Sequence, residues 1–388
     1  MKKGWEIKTI GDVCVSASSN VSQNKLADDE GAYPIFGASG LIKNVSFYHR
    51  DKPYLSIVKD GSGVGRITKM DAYTSIIGTL QYILPKENID LDYLNYSLMS
   101  VDFKKYVAGA AIPHIYFKDY KNEPFLWMPL LEQRRIVAIL DEAFAAIAKA
   151  KANAQQNLQN AKELFESYLQ GVFENKGEGW EHIRLGDVCQ INDGTHFSPK
   201  NTSDGEYMYI TAKNIKPYFI DLTKISYISE KDHKDIYSRC SPKKGDVLYI
   251  KDGATAGIAA LNTLDEEFSL LSSVALLKCS KKILNTFLVH YMNSTIGKKN
   301  FLGYLDGAAI TRLTLIKIKN VGFPLPPLKT QQTIVQKLDA LSAETKKLEN
   351  IYQQKINDLE ELQKSVLQKA FSGNFKSKNI VAYEDQTL

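Results

Sequence analysis

Cysteine and histidine are scarce in this chain of 388 residues, four of the one and six of the other. Cys14, Cys189, Cys240 and Cys279 stand far apart with no C-x-x-C, and the histidines include no H-x-x-H pair. Neither a disulfide framework nor a zinc site is therefore expected. Long apolar runs are missing too. Those such as residues 143–148 fall far short of the ~20 residues a membrane-spanning helix needs, and residues 1–6 lead into no apolar stretch. Membrane insertion and export are not expected, and a reducing cytoplasm is. Nor does charge of one sign dominate: 49 Lys and Arg face 44 Asp and Glu, a formal net charge of +5. The excess sits mainly in residues 175–328, with 20 basic residues against 16 acidic ones. That is weak support for a polyanionic partner, because strong nucleic-acid binders carry a larger basic surplus.

What is present is an ordinary globular composition, 44% hydrophobic and 24% charged, in a chain long enough for two or three domains. The chain also repeats itself. Gly4-Trp5-Glu6, leading to Ile10-Gly11-Asp12-Val13-Cys14, recurs as Gly179-Trp180-Glu181, leading to Leu185-Gly186-Asp187-Val188-Cys189, at an offset of 175. Lys59-Asp60-Gly61-Ser62-Gly63 recurs as Lys251-Asp252-Gly253-Ala254-Thr255 at an offset of 192. Gly109-Ala110-Ala111-Ile112 recurs as Gly307-Ala308-Ala309-Ile310, and Ile136-Val137 with Leu140-Asp141 as Ile334-Val335 with Leu338-Asp339, both at 198. The second copy has thus gained 23 residues, expected in its loops, since loops tolerate insertion and packed periodic elements do not.

Each copy opens with short alternating runs rich in Tyr, Val, Ile and Thr, such as Tyr54–Val58 and residues 246–251, bounded by Gly and Asp turns. These predict small mixed α/β domains over residues 1–128 and 175–325. After Pro129 and after Pro326-Pro327, Gly and Pro give way to Gln, Glu, Lys, Leu and Ala, which predicts helices over residues 129–174 and 326–374 and leaves 375–388 as a tail. Cys14 and Cys189, equivalent in the repeat, read as small core residues.

Alternating steps of three and four from Val137 meet Leu140, Phe144, Ile147, Lys151, Ala154, Leu158, Ala161, Phe165, Tyr168 and Val172. From Ile334 the same walk meets Leu338, Leu341, Thr345, Leu348, Tyr352, Lys355, Leu359, Leu362, Val366 and Lys369. A 3.5-residue repeat sustained so long is a coiled-coil seam, and at 1.5 Å per residue each helix would be roughly 60–65 Å long. Helices polar on their outer faces need a partner for the stripe, so the two are expected to pair with each other, antiparallel. Packing back onto their own domains is the alternative.

In these features the chain resembles the specificity subunit of a type I restriction-modification system. The resemblance rests on Trp5…Gly11-Asp12-Val13 and Trp180…Gly186-Asp187-Val188, on Tyr33-Pro34-Ile35-Phe36-Gly37-Ala38-Ser39-Gly40, and on Asp193-Gly194-Thr195-His196. It continues through the two Lys-Asp-Gly turns, Pro129-Leu130-Leu131-Glu132-Gln133-Arg134-Arg135-Ile136-Val137, and Pro324-Leu325-Pro326-Pro327-Leu328 before Gln331. It departs at Lys329-Thr330-Gln331-Gln332, where the family usually has an acidic residue before Gln, which puts a helix-start contact in question. The resemblance implies an α+β fold: two mixed α/β target recognition domains separated by two long antiparallel coiled-coil helices, with a pseudo-two-fold internal repeat. It further implies that each domain reads half of a bipartite, asymmetric sequence in double-stranded DNA. The helices would dock two modification subunits, which carry S-adenosylmethionine and the methyl-transfer chemistry, and restriction/translocase subunits would join them. The chain itself would hold no cofactor and catalyse nothing.

The residues agree. N-P-P-[FY], D-P-P-Y and the P-loop G-x-x-x-x-G-K-[ST] are all absent, which argues against an amino-methylating enzyme and an ATP-driven motor. Candidate DNA contacts are polar residues on or beside glycine turns, where Lys and Arg reach phosphates or guanine and Ser and Thr reach several base edges. They are Lys59, Ser62, Arg66 and His114 in the first copy, and Thr195, His196, Lys251, Thr255, Thr311 and Arg312 in the second. Asp60 and Asp252 read as turn caps. Two other functions fit the same organisation: a coiled-coil scaffold whose globular ends bind protein, and the recognition subunit of a modification-only methyltransferase complex.

Overall fold

Strand-forming and helix-forming segments separate along the chain in the computed structural model, which describes residues 4–109, 111–303 and 312–372. The chain divides into two units, Met1–Gln155 with Gln353–Leu388, and Gln156–Tyr352. In the first, an antiparallel sheet runs in the order Cys14–Ser18, Leu80–Pro85, Tyr54–Val58, Ile67–Met70. Beside it Tyr33–Gly37 pairs antiparallel with Gly40–Val45 and parallel with Ser75–Ile76. Glu6–Thr9 pairs with Pro124–Trp127 at the entry to the long helix Leu130–Glu174.

The second unit repeats this plan strand for strand. Its four-stranded sheet is Cys189–Asp193, Val274–Cys279, Val247–Ile250, Ala259–Leu261. Tyr207–Ile210 pairs antiparallel with Ser226–Ile228 and parallel with Phe268–Leu270, and Glu181–Arg184 pairs with Gly322–Leu325 before the helix Leu328–Phe371. The internal repeat is therefore one of topology as well as sequence. Most of the inserted residues are not loop. The link of residues 38–39 becomes 211–225, which folds a hairpin from Ile215–Lys216 and Phe219–Ile220, and the link 46–53 becomes 229–246, which contains the helix Glu230–Arg239. Ser229 starts that helix by accepting a hydrogen bond from Asp232 N at 3.1 Å, so the insertion brings its own cap.

The repeated Gly-Asp-Val is a capping device. Asp12 accepts from Thr9 N at 2.8 Å and Thr9 Oγ1 at 2.7 Å, and those bonds hold its carboxyl below the usual range; Asp187 accepts from Arg184 N at 3.3 Å. Cys14 and Cys189 are buried in their units' cores, and burial pushes the Cys14 thiol up to about 12. Gln133 and Gln331, also equivalent, are wholly buried at the helix starts. Gln133 Nε2 donates to Met128 O at 2.7 Å and Asn88 O at 2.9 Å while its Oε1 accepts from Asp90 N at 2.9 Å. Gln331 donates to Pro326 O at 2.8 Å and Lys282 O at 3.1 Å and accepts from Leu284 N at 2.8 Å. The helix-start contact is kept despite Thr330 in place of an acidic residue.

Both readings of the long helices apply, to different stretches. Their ends are sewn into the domain cores: Ile136, Leu140 and Ala370 join Leu55, Ile83 and Tyr93 in the first unit, and Leu169, Phe173 and Leu338 join Ile191, Phe287 and Tyr291 in the second. Within each unit the start of one helix lies beside the end of the other, so the pairing is antiparallel. Of the seam positions, Val137, Leu140, Ile147 and Leu338 are buried; Phe144, Leu158, Phe165, Ile334, Leu341, Leu348, Tyr352, Leu359, Leu362 and Val366 are half-buried. The first helix buries Gln133, Leu140, Ile147, Ala154 and Ala161, then skips Tyr168 for Leu169 and Phe173. The second buries Gln331, Leu338 and Thr345 and then Ile356 and Leu367, steps of eleven rather than seven, which leaves Lys355 exposed. An eleven-residue step runs at 3.67 residues per turn, so the stripe drifts off the strict heptad toward the straight helix. Lys151 meets Glu360 Oε1 at 2.5 Å across the first unit's helix pair.

One repeated contact differs in a titratable group. Tyr96 donates to Asp141 at 2.5 Å in the first unit; at the equivalent place in the second, buried His290 meets Asp339 through Nε2 at 3.1 Å, packed by Phe165 and Tyr218, with Nδ1 making no hydrogen bond. Burial lowers the His290 pKa, and Asp339 opposes this only in part. The unfolded chain then binds the proton more readily, so this stability is fully present above the ordinary histidine value of about 6.5 and is lost as pH falls below that value and through the depressed native one. Thermal melts between pH 7.5 and 5.5 should show this loss, reduced in His290→Tyr, which imports the first unit's residue. Equal slopes for both chains would contradict it.

Candidate nucleic-acid interface

In each unit the site is one turn and one returning segment. Tyr54–Val58 runs into Lys59-Asp60-Gly61, and Gly61 takes φ +95°, a left-handed conformation that a side chain would strain. The segment carrying Ala108 and His114 comes back along this turn, with Gly61 N donating to Pro113 O at 2.9 Å and Ile115 N to Lys59 O at 3.0 Å. In the second unit Val247–Ile250 runs into Lys251-Asp252-Gly253, with Gly253 at φ +92°, and Leu313 N donates to Lys251 O at 2.9 Å. Asp60 bridges His114, and Asp252 bridges Arg312.

The side chains on these matching backbones differ. In the first unit the Asp60 carboxylate hydrogen-bonds His114 Nδ1, and Lys59 Nζ lies 3.9 Å from its other oxygen, with all three half-buried. The His114 ring lies 4.0 Å from that of exposed Tyr116. Ser62 is exposed, and exposed Arg66 donates to Ala38 O. In the second unit Arg312 is exposed, its Nε 3.9 Å from Asp252, and Thr255 is exposed on the turn. Asp60 and Asp252, expected as turn caps, each face the side chain that returns along the turn, His114 in the first unit and Arg312 in the second.

Two candidates are corrected. Lys251 is only 3% exposed, its ammonium 2.7 Å from Asp252 and 3.7 Å from Asp193, so it cannot reach a duplex as placed. Thr195 is buried as well: its N donates to Leu270 O at 2.9 Å and its Oγ1 accepts from Phe197 N at 3.2 Å. His196 next to it is exposed, 3.4 Å from Asp193 Oδ2. Thr311 and the second Gly-Ala-Ala-Ile lie outside the described residues. Two participants were not found from the sequence. Asp193, read only as part of Asp-Gly-Thr-His, also meets Arg239 Nη2 at 3.3 Å, and Arg239 belongs to the inserted helix, which has no copy to be compared with. Among the described residues no cluster of His, Cys, Asp or Glu is placed to hold a metal ion, and no helix is long and apolar enough to cross a membrane.

The family model for the type I restriction modification DNA specificity domain matches residues 2–158 and 177–361. The chain belongs to that family. Relatives of this specificity protein include the type I restriction enzyme MjaVIII specificity subunit of Methanocaldococcus jannaschii, 24% identical over 97% of this chain and 94% of the relative. The putative specificity subunit S.HindORF215P of Haemophilus influenzae is 25% identical over 80% of each chain. Among solved structures, a chain from work on complex assembly and conformational transition of the type I R-M system superposes with TM-score 0.74 at 19% identity, covering 97% of this chain and 99% of that one. The HsdS subunit from Thermoanaerobacter tengcongensis gives 0.60 at 19% identity, over 97% and 98%. The specificity protein thus shares its fold with these two chains: two α+β domains and two long helices.

Proposed function

We propose that this chain reads a bipartite, asymmetric sequence in double-stranded DNA, one half through each unit, as the specificity subunit of a type I restriction-modification complex. It docks two modification subunits, which supply S-adenosylmethionine and methyl transfer, and restriction/translocase subunits join the assembly. The chain contributes selectivity and no reaction of its own. One observation carries this reading: the same turn and returning segment, built twice, presents His114, Lys59, Ser62 and Arg66 in one unit and Arg312 and Thr255 in the other. A duplicated backbone with diverged polar side chains is what two different half-sites require, since base edges are read by side chains while the backbone sets the approach.

Mapping methylated adenines in a host carrying the system tests it. The expected result is one non-palindromic motif in two parts separated by an unread spacer. Binding by the assembled complex should also weaken steeply as salt rises from 50 to 200 mM, through the counterions released from contacted phosphates. A palindromic motif, or binding indifferent to both sequence and salt, would overturn the reading and favour a protein-binding scaffold.

A further inference from the structure

The second unit contains an ion chain that the first lacks. It runs from Arg239 to Asp193, from Asp193 to Lys251, from Lys251 to Asp252 and from Asp252 to Arg312, with His196 also on Asp193. Its middle is buried, Asp193 being 5% and Lys251 3% exposed, while its ends are open, Arg239 at 58% and Arg312 at 64%. At the place of Asp193, the end of the first strand of the sheet, the first unit has Ser18, and Lys59 in place of Lys251 stays half-exposed.

A tie holding the inserted helix to the sheet would account for Arg239, since a cation in a helix's last turn is favoured by the dipole as well. It does not account for Lys251. Burying an ammonium between two carboxylates incurs a desolvation cost that a packed apolar side chain avoids, and the first unit folds without it. Such a centre does fix the groups at its ends. Asp193 is itself fixed, because Gly194 runs so close to Leu270 that a Cβ there would stand 1.8 Å from Leu270 O. Asp193 engages one nitrogen of Arg239, which leaves other donors of the planar guanidinium free to face solvent in a set direction. Arg239 and His196 line a small cleft together with exposed Phe197.

Resting on the DNA-reading proposal above, we infer that Asp193 and Lys251 are positioning residues for the second half-site, and that they aim Arg239, on a helix found only in this unit, at base acceptors of that half. Arg239 is thus a specificity contact at the opposite end of the ion chain from Arg312. Bound sequences selected from randomised duplexes by the full chain, co-produced with its modification subunits, test this. In Arg239→Gln and in Asp193→Asn, preference at the same base pairs of one half should fall by about tenfold or more, a discrimination typical of one bidentate contact, while the other half is read as before. The double variant should be no worse than either, and Arg239→Lys should keep affinity but not selectivity. If Asp193→Asn does not fold, judged by its melting, exposed Arg239→Gln decides alone. Unchanged selection by Arg239→Gln, or an equal loss on every duplex, overturns the inference and leaves the half-site reading standing. A wild-type complex that selects no sequence brings down the reading and this inference together.

Discussion

Replacing Gln133 with alanine is expected to destabilise the first unit by about 3–5 kcal/mol, because it strips partners from two backbone carbonyls and one backbone amide at once and each such group costs about 1–3 kcal/mol when left unsatisfied. Gln331→Ala should do the same to the second unit, where the amide makes the matching three bonds. Few other single side chains here join a long helix to two separate stretches of its domain. Gln133→Glu distinguishes the hydrogen bonds from the packing. It keeps the shape and the acceptor, but a carboxylate facing Met128 O and Asn88 O has nothing to donate unless protonated. Urea unfolding monitored by circular dichroism, with amide exchange at Asp90 as the local probe, measures both variants. A loss below about 1 kcal/mol would mean that water replaces the glutamine amide with little penalty.

Exchanging residues 180–320 for the corresponding segment of a relative is expected to replace one half of the recognised sequence and leave the other intact. The discrimination at stake is about 1–3 kcal/mol for each base pair read, so the old half-site should lose its advantage altogether. The junctions fall before Glu181–Arg184 and before Gly322–Leu325, whose pairing is made by backbone groups and is preserved by any segment that forms the same strands. Methylome mapping of the exchanged chain decides the outcome. A change in both halves, or in neither, would mean that the two units do not read separately.

The repeat made the fold legible. Short alternating runs closed by Gly and Asp turns, followed by a long stretch with a 3.5-residue apolar period, leave little choice of architecture, and duplication doubles every signal. The seam was less legible at its ends. Tyr168 fits the three-four walk as well as Leu169 does, and the domain core behind the helix, invisible to local pattern, selects Leu169. Lys355 and Ile356 divide in the same way once the second helix relaxes to an eleven-residue step. The site was legible in its backbone and not in its charges. Lys59 and Lys251 each open a Lys-Asp-Gly turn after an apolar strand and differ in burial because Asp193, 58 residues from Lys251, faces one of them and Ser18 takes that place in the other unit. Arg239 gave no signal, since comparing one half of a chain with the other cannot see what only one half possesses.

The first unit is built from the two extremities of the chain, while the second is a single uninterrupted stretch inside it. On a ribosome this reverses the usual order. The first 155 residues emerge with Tyr93 waiting for Phe371, whose ring will stand 5.2 Å away, and with the floor of their core lacking Ala370. At about 5–20 residues per second those partners follow roughly 10–45 s later, by which time the inner unit has been released whole and can already be folded. The amino-terminal half is thus the last to be completed, its apolar core left open until the end of the second long helix arrives.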